Sequence, residues 1–356
     1  MKLADVIDEL VEERGLDKEI LSDIVCEGLL AAYQKRYPYL TLRVAYDKKT
    51  GEIQIEVEKE IVSTVEDDEF EISLRKARSL GLNQEVGEKV YLPFDGKIGR
   101  IEILRAKQVI ASKIRTIESA AVYNEFKEKE GSIVLGTIHK CERDGYVVKI
   151  QETMAFLPKS LTIPTDKCVV GYTIRALLKE VLPEPRNDNQ LILDRVSEKF
   201  LQRLFELEIP EVFEKLVEIK KIVRAPGYKS KVVVMSHDKN IDPVGTCVGV
   251  GGARIKPILK ELGGEKIDIV AASDSIEQLI KDALKPAEIN RVQIIDEQNV
   301  NVWLDDDQRS LAIGKMGQNI SLASRLVGLN IHLVKNETNR SIENRYNDEI
   351  EGLDLD

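Results

Sequence analysis

The chain has 356 residues, with 52 Lys and Arg against 62 Asp and Glu, and its net charge is −10. This length allows two to four domains, and the acidic balance argues against a strongly basic ribosomal protein. Because the sequence shows no membrane-length apolar run, no secretion signal and no paired cysteine motif, we expect a cytoplasmic protein with reduced thiols and no zinc site.

Residues 1–128 are predicted to form an α+β domain that begins with two helices. Apolar residues recur there at helical spacing, and Asp17 stands where the N-cap of the second helix is expected. The predicted buried positions are Leu3, Val6, Ile7 and Leu10 in the first helix and Ile20, Leu21, Ile24 and Val25 in the second.

A hairpin with alternating polar and apolar residues follows, with strands over Thr41–Tyr46 and Ile53–Val57. A short helix near Ile72–Leu80 and a long helix come next, and a charged linker over Glu125–Glu130 ends the domain. Its charged surface fits a protein partner better than RNA. The predicted buried face of the long helix is Ile103, Ile110, Ile114, Ile117 and Ala121.

Residues 131–196 change to a pattern of five short β-runs with turn residues between them. This pattern fits a five-stranded OB-type β-barrel, and another kind of small β-domain is the alternative. Tyr146 and Phe156 are the aromatic residues that could stack on bases, and packing inside the barrel is the alternative for each. The predicted strands are Ser132–Ile138, Tyr146–Ile150, Met154–Leu157, Tyr172–Val181 and Gln190–Leu193.

After a predicted helix pair, Phe200–Leu207 and Val212–Ile219, the chain repeats itself at an offset of 65 residues. Gly249-Val250-Gly251-Gly252 returns as Gly314-Lys315-Met316-Gly317, each time between a short helix and an amphipathic helix. Glycines at both ends of such a turn leave main-chain amides bare for a sugar-phosphate backbone. The repeat predicts two tandem type II KH domains that bind single-stranded RNA. A third G-x-x-G, Gly96–Gly99, is predicted to be a loop because no short helix enters it.

The two KH domains are predicted at residues 198–284 and 285–338, and residues 339–356 are predicted to be an acidic, disordered tail. Residues 220–340 carry 18 basic and 15 acidic side chains, so this segment is positive although the whole chain is not. The predicted strands are Val217–Val223, Lys231–Met235 and Lys266–Val270, then Arg291–Ile295, Val300–Leu304 and Asn330–Val334. The predicted helices are Pro243–Gly249, Ala253–Leu262, Gln308–Gly314 and Gln318–Val327.

The predicted RNA-binding residues lie in the two turns, in the start of the helix after each turn, and in the barrel. Lys315 stands between its glycines and can meet a phosphate, whereas the first turn has its nearest cations outside the glycines. We therefore expect the second turn to contribute more to binding. The full set is Gly249, Val250, Gly251, Gly252, Arg254, Ile255, Lys256, Gly314, Lys315, Met316, Gly317, Gln318, Asn319, Ile320, Tyr146 and Phe156.

An apolar groove for the bases is predicted beside each turn, although its members could equally be core residues of a helix packed on a sheet. These members are Ile255, Ile258 and Ile269 in the first domain and Ile320, Leu322 and Val334 in the second.

Enzyme motifs fit the sequence poorly. The first turn has Arg254 where a dinucleotide fingerprint needs a third glycine, and Met316 stands where a phosphate-binding loop needs Ser or Thr. Asp305–Asp307 could suggest metal binding, but their place before a predicted helix favours N-capping. We expect no catalytic residue, no metal and no cofactor.

Four segments resemble the NusA family of bacterial transcription elongation and termination factors, and the resemblance covers nearly the whole chain. The segments are Arg203–Glu211 (RLFELEIPE), Asp242–Ile255 (DPVGTCVGVGGARI), Gly264–Val270 (GEKIDIV) and Ala312–Ala323 (AIGKMGQNISLA). In that family an N-terminal polymerase-binding domain precedes an S1-like OB domain and two KH domains.

The resemblance implies a monomeric, non-catalytic factor that binds RNA polymerase and nascent single-stranded RNA. With other transcription elongation factors it would modulate pausing, termination and antitermination. The alternative is an RNA-processing factor with KH and S1 domains, such as an exoribonuclease component, in which the KH domain comes before the S1 domain.

Overall fold

The structure, a computed structural model, describes residues 17–47 and 52–335, which form two compact units that meet in sequence at Val122 and Tyr123. The predicted first helix and the predicted acidic tail lie outside the described residues. Among the described helices, none combines the length and the apolar character that a membrane crossing needs.

The first unit contains helices and a four-stranded sheet. Strand β2 is central in this sheet and pairs antiparallel with β1 and β4 and parallel with β3. Asp17 caps α1 as predicted, since its carboxylate accepts a hydrogen bond from the amide of Glu19 at 2.7 Å. The elements are α1 (Lys18–Arg36), β1 (Leu42–Asp47), β2 (Glu52–Val62), β3 (Glu71–Ser73), α2 (Leu74–Ser79), β4 (Lys89–Pro93) and α3 (Arg100–Lys127).

The helices of the first unit bury narrower stripes than the sequence predicts. Leu21, Ile24 and Val25 of α1 are buried as predicted and pack with Ile114 of α3. Three predicted core positions are exposed instead: Ile20, Ile103 and Ala121. The reason is that each lies at the edge of its apolar stripe, where a helix that packs on one side only leaves the side chain in solvent. Residues 96–99 form a loop, as predicted.

The second unit begins with five strands in one sheet, in the order β5-β6-β7-β9-β8. Strand β8 also pairs with β5, antiparallel from Ile133 opposite Leu177 to Thr137 opposite Thr173, so the sheet closes on itself. The strands are β5 (Ile133–Cys141), β6 (Gly145–Ile150), β7 (Thr153–Pro158), β8 (Thr173–Arg186) and β9 (Asn189–Asp194).

The stretch Glu125–Glu130, predicted as a linker, is instead packed against this sheet. Phe126 is only 1% exposed, and a carboxylate oxygen of Glu130 accepts a hydrogen bond from the amide of Val181 at 2.7 Å. The charged composition of the stretch hid this single buried aromatic residue.

Two of the four cysteines, all expected as free thiols, form a disulfide. Cys141 at the end of β5 and Cys168 in the loop before β8 are bonded, with Cα atoms 6.0 Å apart. Strand pairing brings these residues together across the sheet, which their spacing in sequence could not indicate. Cys247 is free, and burial raises the pKa of its thiol to about 11, so it stays protonated at neutral pH.

The rest of the second unit contains two copies of one arrangement, here called the first and second KH units. In each, a strand pair is antiparallel and the third strand joins in parallel after two helices. The first copy comprises β10 (Val217–Ala225), β11 (Lys229–Ser236), α6 (Pro243–Val248), α7 (Ile255–Glu261) and β12 (Lys266–Ala271). The second comprises β13 (Arg291–Ile294), β14 (Asn299–Leu304), α9 (Asp306–Ile313), α10 (Gln318–Val327) and β15 (Asn330–Lys335).

All ten predicted strands and helices of the two KH units are present, with ends that differ by a few residues. Before them, α4 (Glu198–Glu208) and α5 (Pro210–Phe213) follow the barrel, and α8 (Ile276–Ala283) joins the two units. The predicted helix Val212–Ile219 is wrong beyond Phe213, because its last residues already belong to β10.

Shared cores connect the parts of the second unit. Ile163 and Leu177 of the barrel pack in one cluster with Phe200 of α4 and Ile258 of α7. Val223 and Val233 of the first KH sheet pack instead with residues of the second KH unit such as Leu322. Because burial of apolar area is the main stabilising contribution to folding, these shared clusters hold the barrel and the two KH units together.

Two buried arginines add ion pairs to this packing. Arg195 donates to both carboxylate oxygens of Asp166, each at 2.9 Å, and to Glu261 at 2.6 Å. Arg224 donates to both oxygens of Glu265 at 2.8 and 2.9 Å. Burial lowers the pKa of Arg195, but its bonds to Asp166 and Glu261 outweigh burial and raise that pKa overall. Removing one partner would leave a buried charge, at a cost of about 3–5 kcal/mol.

Candidate nucleic-acid interface

The two glycine turns have the same backbone conformation. The first glycine has φ 75° and ψ 165° at Gly249, and φ 70° and ψ 176° at Gly314. The third residue is left-handed in both turns, with φ 61° at Gly251 and φ 56° at Met316. A left-handed conformation is unfavourable for a residue with a Cβ atom, so Met316 has a strained backbone at this position of the turn.

The bracketing glycines are required for two different reasons. A Cβ atom on Gly249 would lie 2.9 Å from the Cγ atom of Arg254, and one on Gly314 would lie 2.7 Å from the Cβ atom of Asn319. The closing glycine, Gly252 or Gly317, has φ 78° or 72° but no crowding side-chain or main-chain atom nearby. The first glycine therefore permits both close packing and a positive φ, whereas the last is needed for its left-handed backbone alone.

Arg254 and Asn319 occupy the same place in the repeat and bond back to the preceding helix. Arg254 donates to the carbonyl of Thr246 at 2.9 Å. Asn319 donates to the carbonyl of Leu311, the equivalent residue, at 3.3 Å and to that of Ala312 at 3.2 Å. Each bond satisfies carbonyl groups that a helix end leaves unpaired. In the structure both side chains fasten the turn from behind, and the RNA contact predicted for them stays a prediction.

Both residues also have a second partner. Arg254 forms an ion pair with Glu211 at 2.8 Å, so its charge is already compensated. Asn319 is 4% exposed, and its Oδ1 atom accepts a hydrogen bond from Lys229 of β11 at 3.0 Å. Asn319 thus connects the second turn to the first KH unit. Sequence reasoning missed this role, although the equivalent positions in the repeat were a usable signal.

The side chains at the tips of the turns point into solvent. Val250 is 97% exposed and Met316 is 86% exposed, and Lys315 is exposed as well. Lys256 lies beside the first turn, because a Cβ atom on Gly252 would be 3.5 Å from its Cε atom. Within residues 17–47 and 52–335, Lys256 and Lys315 have neither a hydrogen-bond partner nor an ion-pair partner, so both ammonium groups are open to an anion.

The predicted apolar grooves are divided between core and surface. Ile255, Ile258 and Leu322 are buried in the cores, which favours the structural alternative for these three. Ile269, Ile320 and Val334 are half-buried, as is Gln318 at the start of α10.

The two aromatic residues of the barrel lie on opposite faces of the sheet. Tyr146 pairs with Leu157, which is fully buried, so Tyr146 is on the inner face. Phe156 pairs with Val147 and is therefore on the outer face, where its ring lies 2.8 Å from the place of a Cβ atom on Gly145. The sequence could not separate the two, because strand register decides the face.

Among the described residues, no group of three or more His, Cys, Asp or Glu side chains is placed to hold a metal ion. Asp305 stands at the N-cap position of α9 with extended backbone angles, but its side chain makes no capping hydrogen bond and its Oδ1 atom accepts one from Asn290 at 3.1 Å.

Three family models match the chain. They are the NusA N-terminal domain over residues 2–120, the NusA-like first KH domain over residues 195–272 and the NusA-like second KH domain over residues 276–341.

Relatives named transcription termination/antitermination protein NusA match most of the chain. The protein of Thermus thermophilus is 34% identical over 350 residues, which cover 94% of this chain and 90% of that protein. The Bacillus subtilis protein is 34% identical over 340 residues, covering 95% and 91%. The Rickettsia conorii protein is 35% identical over 345 residues, covering 95% and 68%. Together with the paired KH units and their matching turns, these similarities show that the chain belongs to the NusA family.

Proposed function

We propose that this protein is a transcription factor that binds RNA polymerase and nascent single-stranded RNA, and thereby modulates pausing, termination and antitermination. The observation that carries the proposal is the pair of glycine turns, which share one backbone conformation and leave main-chain amides and a lysine open to a phosphate backbone. The names of the relatives give the same class of function.

RNA binding follows from what each turn exposes. The closing amides bond within the turns, Gly252 to the carbonyl of Gly249 at 3.0 Å and Gly317 to that of Gly314 at 3.2 Å, so the amides that remain for an anion are those at the tips. Lys315 adds a full positive charge in the second turn, and Lys256 lies beside the first. We propose that each KH unit holds about four nucleotides in this way.

The outer face of the barrel carries side chains that suit it to bind the same RNA. Phe156 shares this face with Lys149, because their pairing partners Val147 and Met154 belong to the same side of the sheet. An aromatic ring next to a cation is the usual combination for sequence-tolerant stacking on single-stranded bases. We therefore assign the barrel, residues 131–196, as an S1-like OB domain in which Phe156 rather than Tyr146 stacks.

For the remaining segments, we propose that residues 1–128 bind RNA polymerase, that residues 198–284 and 285–338 are the KH domains, and that residues 339–356 are an acidic tail. Exposed Ile101 and Leu104 at the start of α3 support a protein-binding role for the first segment. We propose a cytoplasmic monomer without catalytic activity that acts beside other transcription elongation factors.

The test has two readouts with purified protein. A labelled unstructured RNA should bind with a dissociation constant that rises with salt, because phosphate contacts release counterions. RNA polymerase should retain the protein on a column, and a truncation lacking residues 1–122, which keeps the whole second unit, should lose retention but keep RNA binding. An RNA shortened in the presence of phosphate and magnesium would support the exoribonuclease alternative and contradict the proposal.

A further inference from the structure

A groove lies between the barrel and the first KH unit. Residues of α7, the helix that follows the first glycine turn, form one of its walls. Its volume is about 760 Å³. We call it the barrel–KH groove and define it by Lys167, Val169 and Tyr172 on the barrel side and by Pro257 and Lys260 on α7.

The side chains that line this groove carry more positive than negative charge. Its carboxylates are already paired: Asp166 and Glu261 bind Arg195, and Glu208 binds Arg175 at 2.8 Å. Lys167 and Lys260 line the same groove, and within the described part of the chain neither has an ion-pair or hydrogen-bond partner. The lining therefore carries four cations against three carboxylates, a net charge of +1, and its two unpaired charged groups are both ammonium groups.

The groove also contains an exposed aromatic residue. Tyr172 is 65% exposed, although it lines the wall of the groove, and Val169 beside it is 52% exposed. An exposed ring beside unpaired lysines is suited to stacking on a base while the cations meet the phosphates.

The groove is continuous with the first turn along one face of α7. Lys256 lies over Gly252, and Lys260 follows one helical turn later on the same face of the helix. From Lys256 to Lys260 the rise along the helix is about 6 Å. An RNA strand held at the first turn would therefore pass Lys256 and Lys260 before it reaches Tyr172.

The walls of the groove are held in place before any ligand binds. Cys168 lies between Lys167 and Val169 and is tied to Cys141 by the disulfide. At the floor, a Cβ atom on Gly263 would be 2.6 Å from Oγ1 of Thr165, so the barrel loop and the end of α7 are in close contact. Such preorganisation reduces the ordering cost of binding.

We propose that the barrel–KH groove binds the nucleotides of single-stranded RNA that continue beyond the first glycine turn, with a base stacked on Tyr172 and phosphates at Lys167 and Lys260. This inference rests on the proposed function, since it extends the same RNA from the KH surface to the barrel. The ligand is RNA rather than a protein segment, because the unpaired groups in the groove are both cationic.

The test compares two RNAs on the full chain: one of about six nucleotides, enough for a single turn, and one of about sixteen. Lys167→Gln/Lys260→Gln should weaken the longer RNA about tenfold and leave the shorter RNA unchanged. For the double variant and the longer RNA, the slope of log affinity against log salt concentration should be smaller in magnitude by about 1.4, because two phosphate contacts are lost. Lys179→Gln, which removes a barrel lysine outside the groove, is the charge control and should match the wild type.

Tyr172→Ala should also weaken the longer RNA, by about tenfold, and Tyr172→Phe should retain the affinity because its ring still stacks. Thermal unfolding of each variant reports whether the fold is kept, and all three side chains are exposed enough to be replaced.

Each remaining outcome has one meaning. If the wild type binds neither RNA, the proposed function fails. If it binds both and the double variant equals the wild type, only the groove inference fails. Saturable binding of free AMP that Tyr172→Ala abolishes, with unchanged affinity for the longer RNA, would assign the groove to a nucleotide and overturn the inference.

Discussion

The two glycine turns of this protein share one backbone conformation but carry different side chains at their tips. Both place a left-handed residue third, and both are fastened from behind by the side chain five residues after the first glycine, Arg254 or Asn319. They differ at the tip, where the first turn carries Val250 and Gly251 and the second carries Lys315 and Met316.

The comparison separates the parts of a turn that build it from the parts that bind. Residues that close-pack or bond to the preceding helix are small or buried and set the conformation. Residues at the tip touch nothing in the described chain that requires them, so they are free to differ. Arg254 and Asn319 differ in charge yet bond to equivalent carbonyls, which shows that the position is structural in both copies.

The largest expected effect comes from an acidic side chain at the closing glycine. Gly317→Asp should weaken RNA binding about 30-fold or more, because the added carboxylate would repel a phosphate bound at the turn. Gly252→Asp should cost less, since the first turn has no lysine of its own. The matched control is Gly328→Asp, which places the same side chain at another left-handed and uncrowded glycine, φ 79°, outside the turn. Equal losses from Gly317→Asp and Gly328→Asp would contradict the assignment.

The next effect concerns the side chains that fasten the turns. Asn319→Ala should lower the free energy of unfolding by about 2 kcal/mol, because it leaves buried carbonyls without their donor. Arg254→Ala should cost about 1 kcal/mol, since its ion pair is partly exposed to solvent. Urea denaturation followed by circular dichroism measures both. A larger loss for Arg254→Ala would reverse this part of the comparison.

At the tips, Lys315→Ala should weaken RNA binding about fivefold and reduce the salt dependence by about 0.7 in the log–log slope. Val250→Ala at the equivalent position should change neither quantity, and Arg254→Ala should change the affinity less than Lys315→Ala does. Fluorescence anisotropy at several salt concentrations provides the numbers. Unchanged salt dependence in Lys315→Ala would mean that its ammonium group does not meet a phosphate.

The smallest effect should be stabilising. Met316→Gly gives the second turn the residue type of the first at its third position and relieves a left-handed conformation, so the free energy of unfolding should rise by about 1 kcal/mol. Gly251→Ala makes the reverse change and should lower it by a similar amount. If Met316→Gly destabilises the protein, then contacts of the exposed methionine outweigh the strain.

Much of the KH architecture could be predicted from sequence because it is local. Helix caps, glycine turns and alternating strands are each encoded within a few residues, and a repeat supplies every signal twice. The ten predicted elements from Val217 to Val334 are therefore present, with small shifts at their ends.

The failures have a common cause in contacts between distant residues. The pairing of Cys141 with Cys168 and the burial of Phe126 depend on contacts with residues far away in sequence, and the opposite faces of Tyr146 and Phe156 depend on strand register. The structural partners of Arg254 and Asn319 were missed for a related reason, because they are helix carbonyls and residues far away in sequence. Their contact with RNA stays a prediction.

The most direct test of the central claim is the affinity of Gly252→Asp/Gly317→Asp for an unstructured RNA that spans both KH units. If the two turns hold the sugar-phosphate backbone, the folded double variant should lose at least the product of the two single losses, to below a hundredth of wild-type affinity, by the linkage between tethered sites. A double variant that unfolds like the wild type and still captures this RNA with undiminished affinity would contradict the account.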